Sequence, residues 1–167
     1  MREPFERVVH DHGATVLRVC RAVLGPGPDA DDAWSETFLA ALTAWPGLGE
    51  VTNMEAWLVR VAHHKAIDIT RARARRALPS AALPDEVSTI GAPGADADGD
   101  ELWAEVARLP ERQRLAIAYH WFGGLSHAET AELIGGSPVA VRRAASDGLR
   151  ALRRRYEAGD AREGEAR

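Results

Sequence analysis

The chain has 167 residues, 46% of them apolar, with 21 basic and 25 acidic side chains and a formal net charge of −4. That length suits one domain or two small ones, with ample material for a core. No stretch approaches the roughly 20 apolar residues of a membrane span. The opening MREPFERVVHDHG lacks the apolar run of a signal peptide. Its one cysteine, Cys20, excludes an internal disulfide and a cysteine-rich zinc site. The expectation is a cytoplasmic protein without membrane insertion, disulfide, metal or cofactor. Net acidity argues against a uniformly basic nucleic-acid binder, but the charge is unevenly spread. Residues 78–101 hold no basic and 6 acidic side chains, whereas residues 102–167 hold 11 basic and 9 acidic ones. Screening limits each charge to about 10 Å, so a local arginine cluster can still bind phosphate.

Phe5, Val8, Val9, Val16, Leu17, Val19 and Val23 predict one helix or two, ending at Gly25-Pro26-Gly27-Pro28. Cys20 lies in this apolar pattern and reads as a buried, inert thiol. The next helix opens at Pro28-Asp29, with Asp29, Asp31 and Asp32 in the first turn, where carboxylates favour the helix dipole. Trp34, Phe38, Ala41 and Trp45 form its apolar stripe. Asp31, Asp32, Ser35 and Glu36 lie beside or opposite that stripe. Four carboxylates within eight residues raise the possibility of a metal site, but no further ligand stands at clear spacing in the helix. A solvated or partner-binding acidic face is the reading.

Pro46 ends this helix, and PGLGEVTN makes a loop over 46–53. Asn53 or Thr52 caps a helix that begins near Met54 and runs into RARARR. Met54, Leu58, Val61, Ala62 and Ile69 give its core side. Arg60, His64, Asp68, Arg71 and Arg75 share another face, with His63, Lys65, Arg73 and Arg76 adding positive charge. Arginines beside a loop and tryptophans suit a single-strand binding surface. Against that, each of Trp34, Trp45 and Trp57 taken alone reads as a core residue, with the arginines as a solubilising face. Adjacent His63 and His64 do not face one site on a helix. Residues 79–100 lose periodicity and read as a flexible acidic linker.

The segment 109–155 predicts helix, turn, short helix, turn, and a longer basic helix. Pro110 opens the first, Leu115, Tyr119 and Phe122 follow at helical spacing, and Gly123-Gly124 stop it. Ser126 and Glu129 have the spacing of a capping box. Ala128, Ala131 and Leu133 give the short helix its apolar side. After Gly135-Gly136, Ser137 caps the last helix and Pro138 starts it. Val141, Ala145, Leu149 and Leu152 form its apolar stripe, with Arg142, Arg143, Arg150, Arg153 and Arg154 largely off it. Such a pair of helices suits a DNA major groove. It also suits a helical hairpin with a solvated basic face.

These motifs, in order and across a linker, resemble an RNA polymerase sigma factor of the extracytoplasmic-function (ECF) group of the sigma-70 family. The run Asp29-Ala30-Asp31-Asp32-Ala33-Trp34-Ser35-Glu36-Thr37-Phe38 is similar to the family's DAEDxxQExF helix. Trp57-Leu58-Val59-Arg60-Val61-Ala62-His63-His64-Lys65-Ala66-Ile67-Asp68-Ile69-Thr70-Arg71, followed by Arg75-Arg76, is similar to its WLxRIAxNxAxDxxRxxRR. Leu109-Pro110-Glu111-Arg112-Gln113-Arg114, Gly124-Leu125-Ser126, Glu129, Ala131, Gly135, Ser137, Val141 and Gly148-Leu149 follow its C-terminal signature.

The resemblance implies an all-α protein of two small domains: a sigma region 2-like bundle over 1–77 and a sigma region 4-like helix-turn-helix over 102–156. A linker over 78–101 would join them, and 157–167 would be a disordered tail. It implies core RNA polymerase as partner, through the β′ clamp helices and the β flap, with Asp29, Asp31, Asp32, Ser35 and Glu36 docking. It implies promoter DNA as the other partner. Asn53, Arg60, His64, Lys65, Arg71, Arg75 and Arg76 would hold the melted −10 strand. Arg112, Ser137, Val139, Ala140, Arg142, Arg143 and Ser146 would read or hold the −35 duplex. No catalysis is implied. Many relatives are gripped by an anti-sigma factor, a partner the sequence leaves open. Two features depart from the family: His64 stands where Asn is frequent, and Asp147 where a basic residue is frequent. Gly148 costs the recognition helix about 1 kcal/mol of propensity. These departures keep open a sigma-like regulator that does not initiate transcription. A metal-dependent nuclease using Asp29, Asp31, Asp32 and Glu36 is the enzymatic alternative.

Overall fold

The computed structural model describes residues 3–77 and 97–165, and every regular element among them is helical. The expected linker residues 78–96 lie outside the described residues. The elements are α1 (Phe5–Leu24), α2 (Pro28–Ala44), a 3₁₀ turn (Trp45–Gly47), α3 (Met54–Arg76), α4 (Ala97–Ala107), α5 (Glu111–Ala116) widening into a π-helical stretch (Ile117–Phe122), α6 (His127–Ile134) and α7 (Pro138–Glu165).

Helices α1, α2 and α3 enclose a core of Val8, Val16, Leu17, Cys20, Trp34, Phe38, Leu58 and Ala62. Where one helix or two were open, α1 is continuous through Gly13. There the Trp34 ring lies 3.6 Å from the position a Cβ would occupy, and Trp34 Nε1–H donates to the Gly13 carbonyl at 2.9 Å. Trp34 stacks obliquely on Phe38 at 4.8 Å, while Phe5 meets Phe38 and Trp45 edge-on at 6.5 and 5.4 Å. Trp57 packs partly buried on the same cluster. The three tryptophans belong to the core. Cys20 is buried, and burial pushes its thiol up to about 12.

The C-terminal half is packed by small residues. Ala116, Ala131, Val141 and Ala145 form one cluster. Gly148 is buried, and a Cβ there would stand 2.6 Å from Ile117 Cδ1 and 3.3 Å from Gln113 Cβ. The glycine that weakens α7 as a helix therefore lets α5 approach it closely. Ser126 and Glu129 form the expected capping box, and Gly135 and Gly136 turn the chain with φ of 81° and 84°, a conformation a Cβ disfavours.

Several boundaries differ from expectation. Helix α4 begins at Ala97, inside the expected linker. Pro110 caps α5 rather than opening it. Ala128 is exposed, and Thr130 takes its place in the interior. Helix α7 continues past Tyr156 to Glu165, so that stretch of the expected disordered tail is helical. Its alanines, arginines and glutamates are good helix formers, and Arg155 Nη1 donates to Glu105 Oε2 and to the Glu105 carbonyl, both at 3.0 Å.

The two halves share apolar clusters. Val19 of α1 with Ala56 and Val59 of α3 packs on Tyr119 and Leu125. Ala22 joins Trp103, Val106, Leu109, Ile117, Ala118 and Leu152.

Candidate polymerase-docking and DNA interfaces

Helix α2 buries Ala30, Ala33, Trp34, Thr37, Phe38 and Ala41 against the bundle. This leaves Asp32, Ser35 and Glu36 on the outer side, partly or fully exposed. Two residues the sequence reading passed over extend this ridge: Leu39 and Leu42 are 55% and 50% exposed. Their spacing of three and six residues from Glu36 was the available signal. Asp29 pairs instead with Arg73 of α3, so the N-terminus of α2 is tied to the arginine-rich end of α3. Asp29, Asp32, Ile69, Ala72, Arg73 and Arg76 line a shallow cleft of about 180 Å³ there.

Along α3, Arg71, Arg75 and Arg76 are exposed and Lys65 is partly so. Asn53 caps the helix, its Oδ1 accepting from the Ala56 N–H at 2.9 Å. His64 Nδ1 lies 2.7 Å from the Arg60 carbonyl. Arg60 itself points at the other half, donating from Nη2 to Glu129 Oε1 at 2.9 Å. Neighbouring His63 is buried, its Nδ1 2.6 Å from the Tyr119 hydroxyl. Burial pushes the Tyr119 hydroxyl well above its usual range, with Cys20 contributing, and burial and His64 hold His63 below its own. The two groups share one hydrogen bond, in which the imidazole tautomer sets which is the donor.

On α7, Ser137 Oγ accepts from the Ala140 N–H at 3.1 Å. Val139, Arg142, Arg143, Ser146 and Arg150 crowd one outer face with Asp147, bounding a shallow depression of about 450 Å³. Val139 is 70% exposed, while Val141, Ala145 and Gly148 turn inward. Asp147 sits 3.5 Å from Arg150, which partly offsets its repulsion toward phosphate. Arg150, seven residues after Arg143, was not among the expected contacts. Arg112 Nη2 donates to the Gly135 carbonyl at 2.7 Å, at the C-terminus of α6 and in the turn that leads to Ser137. The structure thus gathers Val139, Ala140, Arg142, Arg143 and Ser146 on one helix, with Arg60 paired to Glu129 and Arg112 bonded to the Gly135 carbonyl. Among the described residues, no three His, Cys, Asp or Glu side chains gather as a metal site.

A three-helix bundle with an acidic ridge, followed by a helix-turn-helix with an exposed arginine face, is the organisation of a sigma-70-type factor. Residues 8–76 match the sigma-70 region 2 family and residues 99–152 the sigma-70 region 4 family. The chain is 33% identical to the ECF RNA polymerase sigma factor SigD of Mycobacterium tuberculosis over 162 residues, covering 91% of this chain and 76% of that one. It is 34% identical to the ECF sigma factor ShbA of Streptomyces griseus over 151 residues, covering 82% and 79%. Its fold is similar to that of the sigma factor RpoE in complex with the anti-sigma factor NepR from Bartonella quintana, with a TM-score of 0.69 at 18% identity over 90% of this chain and 94% of that one. It is likewise similar to CnrH in complex with the cytosolic domain of CnrY, with a TM-score of 0.60 at 23% identity over 92% and 88%. The chain belongs to the ECF sigma factors, and its function is promoter-directed initiation of transcription. Members of this family are initiation factors rather than catalysts.

Proposed function

We propose that α2 docks on the β′ clamp helices of core RNA polymerase, that the 46–53 loop and α3 hold the melted −10 strand, and that α7 reads the −35 duplex. The observation that carries this is the one-sided exposure of α7: Val139, Arg142, Arg143 and Ser146 outward, Val141, Ala145 and Gly148 inward. A major groove admits one helix, so a helix whose capped N-terminal turns are open on one side can enter it.

Asp32, Ser35 and Glu36 supply the polar part of the polymerase contact, and Leu39 and Leu42 its apolar part. Asp31, half-buried like Asp32 and Ser35, adds its charge to theirs, while Asp29 acts through Arg73. On α3, Arg71, Arg75, Arg76 and Lys65 track the phosphates, while His64 and Asn53 stand nearer the loop. A protein without a motor opens DNA by capturing unstacked bases, binding offsetting an unstacking cost of a few kcal/mol. On α7, Arg142, Arg143 and Arg150 meet phosphates or guanine edges, and Val139 and Ala140 offer surface to thymine methyls. The C-terminal half also meets the β flap. The chain performs no bond-making step itself and works in the cytoplasm with the polymerase. An anti-sigma protein is a fitting regulator, as the sigma factor RpoE was solved in complex with the anti-sigma factor NepR.

The deciding experiment is run-off transcription with purified core polymerase and a library of promoter fragments, with and without the protein. Protein-dependent transcripts with defined starts are expected, and their aligned upstream sequences give both elements. Absence of transcripts with core binding intact would replace this reading with that of a polymerase-binding regulator.

A further inference from the structure

His120 and His127 stand face to face where the π-helical stretch meets α6. Their ring centroids are 3.9 Å apart and their planes 20° from parallel. His120 is the anchored member. Its Nδ1 lies 2.6 Å from the Leu125 carbonyl, which can only accept, so Nδ1 donates. Trp121 meets the same ring edge-on at 5.5 Å. The His127 side chain is held by the stack, with no hydrogen bond or ion pair of its own among the described residues, and it is partly open to solvent.

The charges around His127 are of one sign. His120 acts on it from the π-helical stretch and Arg142 from α7. The first carboxylate on its own helix, Glu129, is taken by Arg60 on one oxygen and by the Ser126 N–H on the other. Glu132, five residues along from His127, lies about 140° around the helix. Partial burial first, then His120 and Arg142, hold His127 below the ordinary imidazole value. An imidazole among cations, with no carboxylate to answer them, is a site that an anion would complete.

The surroundings say which anion. Arg142 belongs to the outward face of α7, with Val139, Arg143 and Ser146, so the histidine stack borders the surface assigned above to duplex DNA. In a bound helix-turn-helix the first helix crosses the sugar-phosphate backbone while the second enters the groove. His127 stands on that first helix, α6.

We propose that His127, its ring held in place by His120, contacts one backbone phosphate of the −35 duplex and takes up a proton from solvent as the complex forms. The inference rests on the functional reading above. The phosphate supplies the counter-charge that the empty site lacks, so the bound state holds more protons than the free one. Affinity for the −35 duplex therefore rises as pH falls through the imidazole range. Arginine contacts on α7 keep their charge throughout that range and give no such dependence.

The test uses holoenzyme assembled from core polymerase and the full chain. Its affinity for a promoter fragment obtained by run-off transcription is measured at pH 6 and pH 8, each across a salt series. Wild type is expected to bind about fivefold more tightly at the lower pH, well under the tenfold per pH unit that one proton allows. Its salt slope should be steeper there by about 1, for one more phosphate neutralised. His127→Phe keeps a ring in the stack and cannot take a proton. It should match wild type at pH 8 and lose both the gain and the added slope at pH 6. His127→Lys carries its charge at both and should show the steeper slope at both. The polymerase's own pH response is common to all three proteins. Identical pH and salt dependence in wild type and His127→Phe, with transcription intact, overturns the phosphate contact alone. Loss of core association in His127→Phe assigns the residue to the polymerase and overturns it too. Failure of all three holoenzymes to bind promoter or to start transcripts overturns the functional reading, and the contact with it.

Discussion

The two halves are held together by opposite means. The N-terminal bundle fills its centre with volume: Trp34, Phe38 and Leu58 interlock with Phe5 and Trp45 around them. The C-terminal half fills its centre by letting backbones approach, through Ala116, Ala131, Ala145 and Gly148. A core of large side chains is hurt by removing atoms, and a core of small ones by adding them. Their surfaces do not follow this contrast. The face of α3 proposed for DNA shares Asn53 with a cap and Arg60 with an ion pair, and that proposed on α7 shares Ser137 with a cap and Arg150 with Asp147.

The contrast can be broken from either side. Phe38→Ala should cost about 4 kcal/mol, the usual loss for a deleted core aromatic, read by chemical denaturation. Gly148→Val should cost about 2 kcal/mol by overpacking Ile117 and Gln113. Equal or greater stability for that variant would remove close approach as the organising feature of the C-terminal half. On the surface, Arg142→Ala with Arg143→Ala should weaken promoter-duplex binding and lower the salt slope by about 2, one for each phosphate no longer neutralised. Asn53 sharpens the comparison further. Asn53→Ala should lose about 1 kcal/mol with the cap, while Asn53→Asp should keep the cap and lose affinity for the −10 strand alone. Equal DNA affinity in both would reduce Asn53 to its cap.

The smallest effect is that of pH. His63 is held below its ordinary value by burial first and His64 second. A depressed base binds more protons when unfolded, so its contribution is complete above pH ~6.5 and is lost as pH falls through the folded value. Glu129, lowered by the Ser126 N–H and then by Arg60, acts in the same direction in the carboxylate range. Acid should therefore loosen the contact between halves first through His63. Stability to chemical denaturant that does not fall with acidification, or a Tyr119→Phe variant with an identical profile, would contradict this.

Much of the fold was legible because its punctuation is local. Pro28, Asn53, the Ser126–Glu129 box and Gly135-Gly136 each mark an end through a cap or a φ that few residues tolerate. The outward residues of α7 were legible for the same reason, one helix with one apolar stripe. Periodicity has nothing to say about partners far along the chain. Arg60 and Glu129 stand 69 residues apart, and nothing in either helix announces the pair. Ala128 was misplaced because alanine suits both faces of a helix. The π-helical stretch escaped because its residues are buried on two sides, leaving no stripe. The sigma resemblance named the two domain families correctly, yet a family pattern does not announce that Arg112 also bonds the Gly135 carbonyl at the end of α6.

Cys20 carries a last consequence. It is the chain's one cysteine, sealed among Val16, Leu17 and Trp34, and its proton leaves only near pH 12. A thiol must be a thiolate in contact with solvent before peroxide or another disulfide can attack it. Cysteine chemistry therefore gives oxidative stress no handle on this polypeptide. A promoter programme that answers to oxidants through such chemistry must have its sensor in another molecule, with this protein as the messenger.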